Sequence, residues 1–328
     1  MADAEPFPEV RRLHAYWERR VQYRSAPPEE WMADNILLDA LGLGIEQTAE
    51  FFAAGASDFA GFCRWVQATA GPPDPLVIAR YHAALDDALP PADIAARLAA
   101  IDAMPEVLGA DDLAHWQEQG YVILRGAITP EEAEAAAALV WQTAGADPDD
   151  PTTWRGRRNQ GMMVQLFQHP ALEPARRSAR VHKAFAQLWG TSDLWRHVDR
   201  ISFNAPLPPG RTFAAPRLHW DVSLVPPIPY GMLGVLYLAD TAEDQGAFEL
   251  VPGFHHGLAE WLEALGDVDP RRVDLSGQAV RVAAEAGDLI IWRHDLPHGA
   301  SPNTTDRPRL AQYLTFYSAK MGVQPEWR

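Results

Sequence analysis

The run Arg217-Leu218-His219-Trp220-Asp221-Val222-Ser223-Leu224 alternates polar and apolar side chains without a break. Side chains of an extended strand point to opposite faces in turn. Arg217, His219, Asp221 and Ser223 therefore share one face, and Leu218, Trp220, Val222 and Leu224 share the other. An imidazole and a carboxylate on one face make two-thirds of a metal site. A second histidine from a later strand would complete a 2-His-1-carboxylate facial triad, which leaves three cis positions of an octahedral ion open. Two histidines are placed to do so. His294 ends the apolar run Leu289-Ile290-Ile291-Trp292, and His298 lies in the turn Pro297-His298-Gly299.

The same alternation recurs along the second half of the chain. In 198–204, Arg200, Ser202 and Asn204 oppose Ile201 and Phe203. In 231–239, Leu233, Val235 and Tyr237 share a face. In 309–317, Arg309, Ala311, Tyr313 and Thr315 oppose Leu310, Gln312, Leu314 and Phe316. Such strands suit a sheet whose inner face lines a site and whose outer face packs on helices. Roughly eight of them in two facing sheets make a double-stranded β-helix, a jelly roll of the cupin kind. Ahead of them, 111–119 reads as a short helix stopped by Gly120, with a strand over 120–125. Thr129-Pro130-Glu131-Glu132 then supplies a cap, a first-turn proline and acidic residues for an alanine-rich helix.

Residues 1–104 read as helical. Pro27-Pro28-Glu29-Glu30 marks a helix start, and Phe51, Phe52, Phe59, Phe62 and Trp65 suit the core of a bundle. No group of His, Cys and carboxylates there has metal-ligand spacing. The expected organisation is a helical N-terminal module, 1–104, followed by a mostly β jelly-roll domain, 105–328, packed by helices.

Bulk properties narrow the partners. The 328 residues are 47% hydrophobic, which is enough for a substantial core. A formal net charge of -16 argues against nucleic acid, whose phosphates call for a basic surface. Cys63 is the one cysteine, so no intrachain disulfide can form and a reducing compartment is expected. The N-terminus shows no signal-peptide pattern and no apolar run reaches membrane-spanning length, so a cytoplasmic protein acting on a small molecule is expected.

The ordered series of motifs carries more than any one of them. His219-Trp220-Asp221 is followed by Asp244-Gln245-Gly246-Ala247-Phe248, by Val251-Pro252-Gly253-Phe254-His255, and by Gly287-Asp288 before an apolar strand. His298-Gly299, Pro302-Asn303-Thr304 and Arg307-Pro308-Arg309 complete it. Over residues 105–328 the chain resembles the phytanoyl-CoA dioxygenase family of iron(II)- and 2-oxoglutarate-dependent oxygenases. The resemblance implies iron(II) held by His219, Asp221 and His298, with 2-oxoglutarate and O2 as cosubstrates and succinate and CO2 as products. It favours His298 over His294, because the family's distal histidine precedes a glycine and stands eleven residues before an arginine, here Arg309.

Arg309 is then the partner of the 2-oxoglutarate carboxylate, which its planar fork can grip bidentately. Tyr237 and Asn204 are expected to assist it. Relatives often carry a serine two residues after the distal histidine, where this chain has Ala300 followed by Ser301. Arg217, on the ligand face, and Arg158, in the basic run Arg155-Gly156-Arg157-Arg158, are the candidates for substrate contact, with Met162, Met163, Leu166 and Phe167 as an apolar wall. The competing readings are a hydrolase on the same three ligands, which has no use for Arg309, and a non-catalytic metal-binding jelly roll.

Overall fold

The computed structural model describes residues 7–55, 58–155, 161–208, 210–211 and 218–327. Within its N-terminal part lie α1 (Leu13–Val21), α2 (Pro28–Ala40), α3 (Ile45–Ala53), α4 (Phe59–Ala70), α5 (Pro75–Leu85) and α6 (Ala92–Asp102). Their starts follow local chemistry. Pro28 begins α2, where a missing N–H costs nothing, and Glu29 and Glu30 sit in its positive first turn. Asp58 accepts from the Gly61 N–H to cap α4, and Asp74 accepts from the Leu76 N–H to cap α5. Leu37, Phe52, Phe62, Val66 and Tyr81 then pack into one core, which Trp195 and Tyr317 from much later in the chain also join.

α7 (Ala110–Gln119) stops at Gly120, whose φ of 79° turns the chain into β1 (Tyr121–Leu124). A reciprocal Thr129–Glu132 capping box starts α8 (Pro130–Ala144). There follow β2 (Met163–Val164), α9 (Glu173–Arg177), α10 (Ala179–Trp189), β3 (Trp195–Arg196), β4 (Ile201–Asn204), β5 (Met232–Tyr237) and β6 (Phe248–Leu250). The chain ends with α11 (Leu258–Leu265), β7 (Val280–Val282), β8 (Leu289–Arg293), β9 (His298–Ala300), β10 (Arg309–Tyr313) and β11 (Phe316–Tyr317).

A large antiparallel sheet runs β1-β8-β5-β10-β4-β2, and a small one runs β7-β6-β9. An isolated bridge between His219 and His298 brings a further segment alongside β9. From β4 the chain passes to the small sheet at His219, returns for β5, and crosses again for β6 and β7. It goes back for β8, across for β9 and back for β10. This winding between two facing sheets is the jelly roll that the alternating segments predict.

The alternation also sorts the packing. Val235, Tyr237, Ile290 and Trp292 of the large sheet meet Phe248, Leu250 and Val282 of the small sheet between the two layers. Leu236, Leu289, Ile291 and Phe203 point outward onto α8 and α10, where Val140 and Phe185 receive them. Truncating a ring as deep as Phe185 to alanine costs about 3–5 kcal/mol.

Two expectations are corrected. The alternating run 217–224, read above as a strand, pairs as one only at His219 among its described residues. Beyond it the carbonyls of Trp220 and Val222 accept from the Arg271 guanidinium, at 2.7 Å each, instead of from a neighbouring strand. His298, expected in a turn, opens β9 and pairs with Leu250 of β6. No described helix is long and apolar enough to cross a membrane.

Asp39 of α2 latches the helical region to the sheets. Its carboxylate accepts from the Tyr317 hydroxyl at 2.5 Å and lies 3.2 Å from His197 Nδ1, while the His197 ring stacks on Tyr317. Burial alone would lower the His197 pKa, but the charge and hydrogen bond of Asp39, with Asp199 nearby, raise it above its ordinary 6.5. A raised pKa means that the folded chain binds this proton more tightly than the unfolded one. The stabilisation is complete below pH 6.5 and is lost as pH climbs through the folded-state value. The wild-type melting temperature should therefore fall more steeply above pH 6.5 than that of His197→Gln. Parallel pH profiles for the two proteins would remove this latch.

Candidate metal centre

His219 and His298 are 79 positions apart (298 − 219) and exchange both backbone hydrogen bonds, His219 N–H to His298 O at 2.9 Å and His298 N–H to His219 O at 3.0 Å. That pairing sets the two imidazoles side by side, with ring centroids 4.7 Å apart. Asp221, two residues on, returns to the same face. Its Oδ1 lies 3.5 Å from His219 Nε2 and its Oδ2 lies 3.3 Å from His298 Nε2. One ligand atom from each of the three residues lies within 4.8 Å of the others, the spacing a single ion can bridge.

The surroundings fix each member. His298 is buried, and its Nδ1 is 3.0 Å from the Leu296 carbonyl. A carbonyl only accepts, so Nδ1 donates to it, which leaves Nε2 as the ring atom that faces Asp221 and would meet a metal. Trp292 and Phe248 pack around the same ring. Burial pushes the Asp221 carboxyl up, but the hydrogen bond from His298 and the charges of His298, His219 and Arg271 outweigh it and hold the group at about 2. Trp220 faces the other way, donates from Nε1 to the Asp295 carbonyl and packs on Phe254 and Trp261. Arg271 grips the carbonyls on either side of Asp221. Two imidazoles and one ionised carboxylate are a donor set that suits iron(II).

His294 stands outside this group. Its ring donates from Nε2 to the Pro229 carbonyl at 2.6 Å and lies against Gly231, where any Cβ would come within 2.4 Å of it.

A cavity of about 310 Å3 holds the triad, with Arg309, Met162 and Trp292 also on its wall. Arg309 is 1% exposed, and its guanidinium donates to Ser202 Oγ at 3.3 Å and to Met162 Sδ at 2.9 Å. Its Nε has no hydrogen-bond partner, and no carboxylate pairs with it among the described residues. A buried cation held by a hydroxyl and a thioether is an uncompensated charge. It sits where a ligand carboxylate would complete it.

The expected assistants of Arg309 stand close to it, Asn204 as its cross-strand neighbour, but their polar groups are engaged by backbone. The Tyr237 hydroxyl is spent on the backbone, donating to the Val282 carbonyl and accepting from the Phe248 N–H. The Asn204 amide donates to the Gly246 carbonyl. Ser301 is turned toward the Glu243 carbonyl, and Ala300 faces the cavity. Arg158 and Arg217 lie outside the described residues. The hydroxyls that do line the cavity belong to Tyr313 and Thr315, on the face of the 309–317 segment shared with Arg309. Ser202 was detectable by the same face rule. Met162 reaches Arg309 across 147 positions and left no sequence signal.

Residues 116–311 match the profile of the family described as phytanoyl-CoA dioxygenase (PhyH). This chain belongs to that family. It is a non-haem iron oxygenase that uses 2-oxoglutarate. A Dictyostelium discoideum protein whose name places it among the phytanoyl-CoA dioxygenases is 20% identical over 262 residues, which is 62% of this chain and 73% of that protein. Among solved structures, the 2-oxoglutarate-dependent carbocyclase SnoK from nogalamycin biosynthesis is 20% identical with a TM-score of 0.48, covering 69% of this chain and 88% of its own. EvdO2 from Micromonospora carbonacea var. aurantiaca, solved with 2-oxoglutarate, is 20% identical with a TM-score of 0.45, covering 68% and 97%.

An unpaired buried charge destabilises the ligand-free chain. Arg309→Met should therefore raise the stability of the ligand-free chain, by about 1–3 kcal/mol, while a given concentration of 2-oxoglutarate raises it further by less than in the wild type. Equilibrium urea unfolding with and without 2-oxoglutarate tests both halves. A destabilised ligand-free variant would mean that the charge is satisfied internally.

Proposed function

We propose that this oxygenase holds iron(II) through His219, Asp221 and His298, and that Arg309 receives the distal carboxylate of 2-oxoglutarate in the adjoining cavity. The reaction is oxidation of an unactivated C–H bond of a small molecule, with hydroxylation as the default. In that case R–H, 2-oxoglutarate and O2 become R–OH, succinate and CO2. The observation that carries the reading is the buried guanidinium of Arg309, which lacks a carboxylate partner among the described residues and shares one cavity with the triad. A hydrolase on the same ligands would gain nothing from that buried charge.

When bound, iron(II) supplies the activation of O2 that couples loss of CO2 to hydrogen removal from the substrate. The protein residues do the rest. The ionised Asp221 and the Nε2 atoms of the two histidines fix the ligand geometry, and the Leu296 carbonyl holds the His298 tautomer. Arg309, braced by Ser202 and Met162, orients the cosubstrate. Trp292 and Phe248 keep water from one side of the site. We assign residues 1–104 to a helical module that contributes none of these groups, although Trp195 and Tyr317 share its core.

Metal titration tests the ligand assignment. His219→Ala, Asp221→Ala and His298→Ala should each lose stoichiometric iron(II) or manganese(II) binding, whereas His294→Ala should keep it. Loss in His294→Ala with retention in His298→Ala would reverse the assignment. A metabolite screen read by succinate release and mass spectrometry then tests the reaction. Addition of one oxygen atom is the expected product change.

A further inference from the structure

Asp221 lies on the wall of two cavities. One is the Arg309 cavity described above, and the other, of about 250 Å3, lies between the start of the helical region and the C-terminal tail. Trp31, Ser223, His294, Val323 and Trp327 line this second cavity together with Asp221. We propose that it is the substrate pocket of the oxygenase, and that it takes a planar, uncharged aromatic group between Trp31 and Trp327. The inference rests on the proposed function, because it sets the oxidised carbon beside the Asp221 edge of the metal centre.

Four observations carry it. First, Trp31 is 41% and Trp327 is 70% exposed, although both are large apolar side chains on a concave wall. An aromatic ligand would bury that surface and gain ring contacts. Second, the tail is anchored. Gln324 Nε2 donates to the Val225 carbonyl at 2.5 Å, and the Arg271 guanidinium lies over the Trp327 ring, 4.9 Å from its centroid. Arg271 also grips the carbonyls of Trp220 and Val222, so one side chain ties the tail to the segment that carries Asp221.

Third, no lysine or arginine is on the wall among the described residues. Burial lowers the pKa of His294, leaving its ring neutral, and its Nε2–H is already committed to Pro229. Arg271, which stacks on the Trp327 ring, is held by the Trp220 and Val222 carbonyls, so among the described residues the wall itself presents no cation to a phosphate or carboxylate. That disfavours a coenzyme A thioester seated there and contrasts with the cation in the Arg309 cavity. Fourth, Trp31 and Trp327 both fall outside the residues, 116–311, that match the family profile. The two rings that would choose the substrate thus lie outside the family-matched region, while Asp221, Ser223 and His294 on the same wall lie within it.

The test is calorimetric binding of 2-naphthol to the full chain loaded with manganese(II) and 2-oxoglutarate. Two controls accompany it, 2-naphthoate, which is planar but anionic, and decahydro-2-naphthol, which is uncharged but not planar. Saturable binding of 2-naphthol is expected, with Trp31→Leu and Trp327→Leu each weakening it about tenfold. Both variants should bind 2-oxoglutarate as the wild type does, which also shows that they are folded. Equal binding of 2-naphthoate or of the non-planar alcohol would overturn the inference. So would no binding of 2-naphthol, or an affinity indifferent to both substitutions. If the wild type binds neither manganese(II) nor 2-oxoglutarate, it is the oxygenase assignment of the site that fails, and the pocket proposal with it.

Discussion

Two backbone hydrogen bonds exchanged between His219 and His298 set the three candidate metal ligands beside one another. They join the segment after β4 to β9, so that imidazoles far apart in sequence become cross-strand neighbours. Asp221 falls into place because it is two residues further on the same face. The bridge is a single pair, not a ladder, and the carbonyls beyond it are held by Arg271. The ligand segment is therefore held by a strand contact, by the Arg271 guanidinium and by the Trp220 indole, which donates to the Asp295 carbonyl. That leaves Asp221 and His219 partly exposed to the cavities while His298 stays buried.

Arg309 shows how the site and the fold oppose each other. It stands in β10, at the centre of the large sheet, where an apolar side chain would pack without electrostatic cost. The chain instead buries a guanidinium against a hydroxyl and a thioether. Such a charge is tolerable in a protein that meets a carboxylate in its working state. On the proposed assignment, stability and affinity for the cosubstrate would then draw on one unmet interaction.

Alternation made most of this architecture legible from sequence. The faces of 198–204, 231–239 and 309–317 gave the two layers, and the ordered motifs separated His298 from His294. What alternation lacks is depth along a face. Tyr237 shares a face with Leu233, but four residues further in it reaches the backbone of the small sheet instead of the cavity. Asn204 lies beyond Ser202 on its strand, and its amide is held by Gly246. The Met162 contact with Arg309 and the second cavity formed by Trp31 and Trp327 arise from segments remote in sequence, which no local pattern reports.

The central claim is that the triad and Arg309 serve one iron–cosubstrate complex. Its most direct test is an anaerobic titration of the iron(II)-loaded protein with 2-oxoglutarate, followed by the visible charge-transfer absorbance that forms when the cosubstrate chelates the ion. The wild type should develop a saturable band. His298→Ala should develop none, and Arg309→Ala should require more 2-oxoglutarate, by a margin of about 1.5–3 kcal/mol for a charge-assisted pair. An Arg309→Ala curve that overlays the wild type would contradict the account.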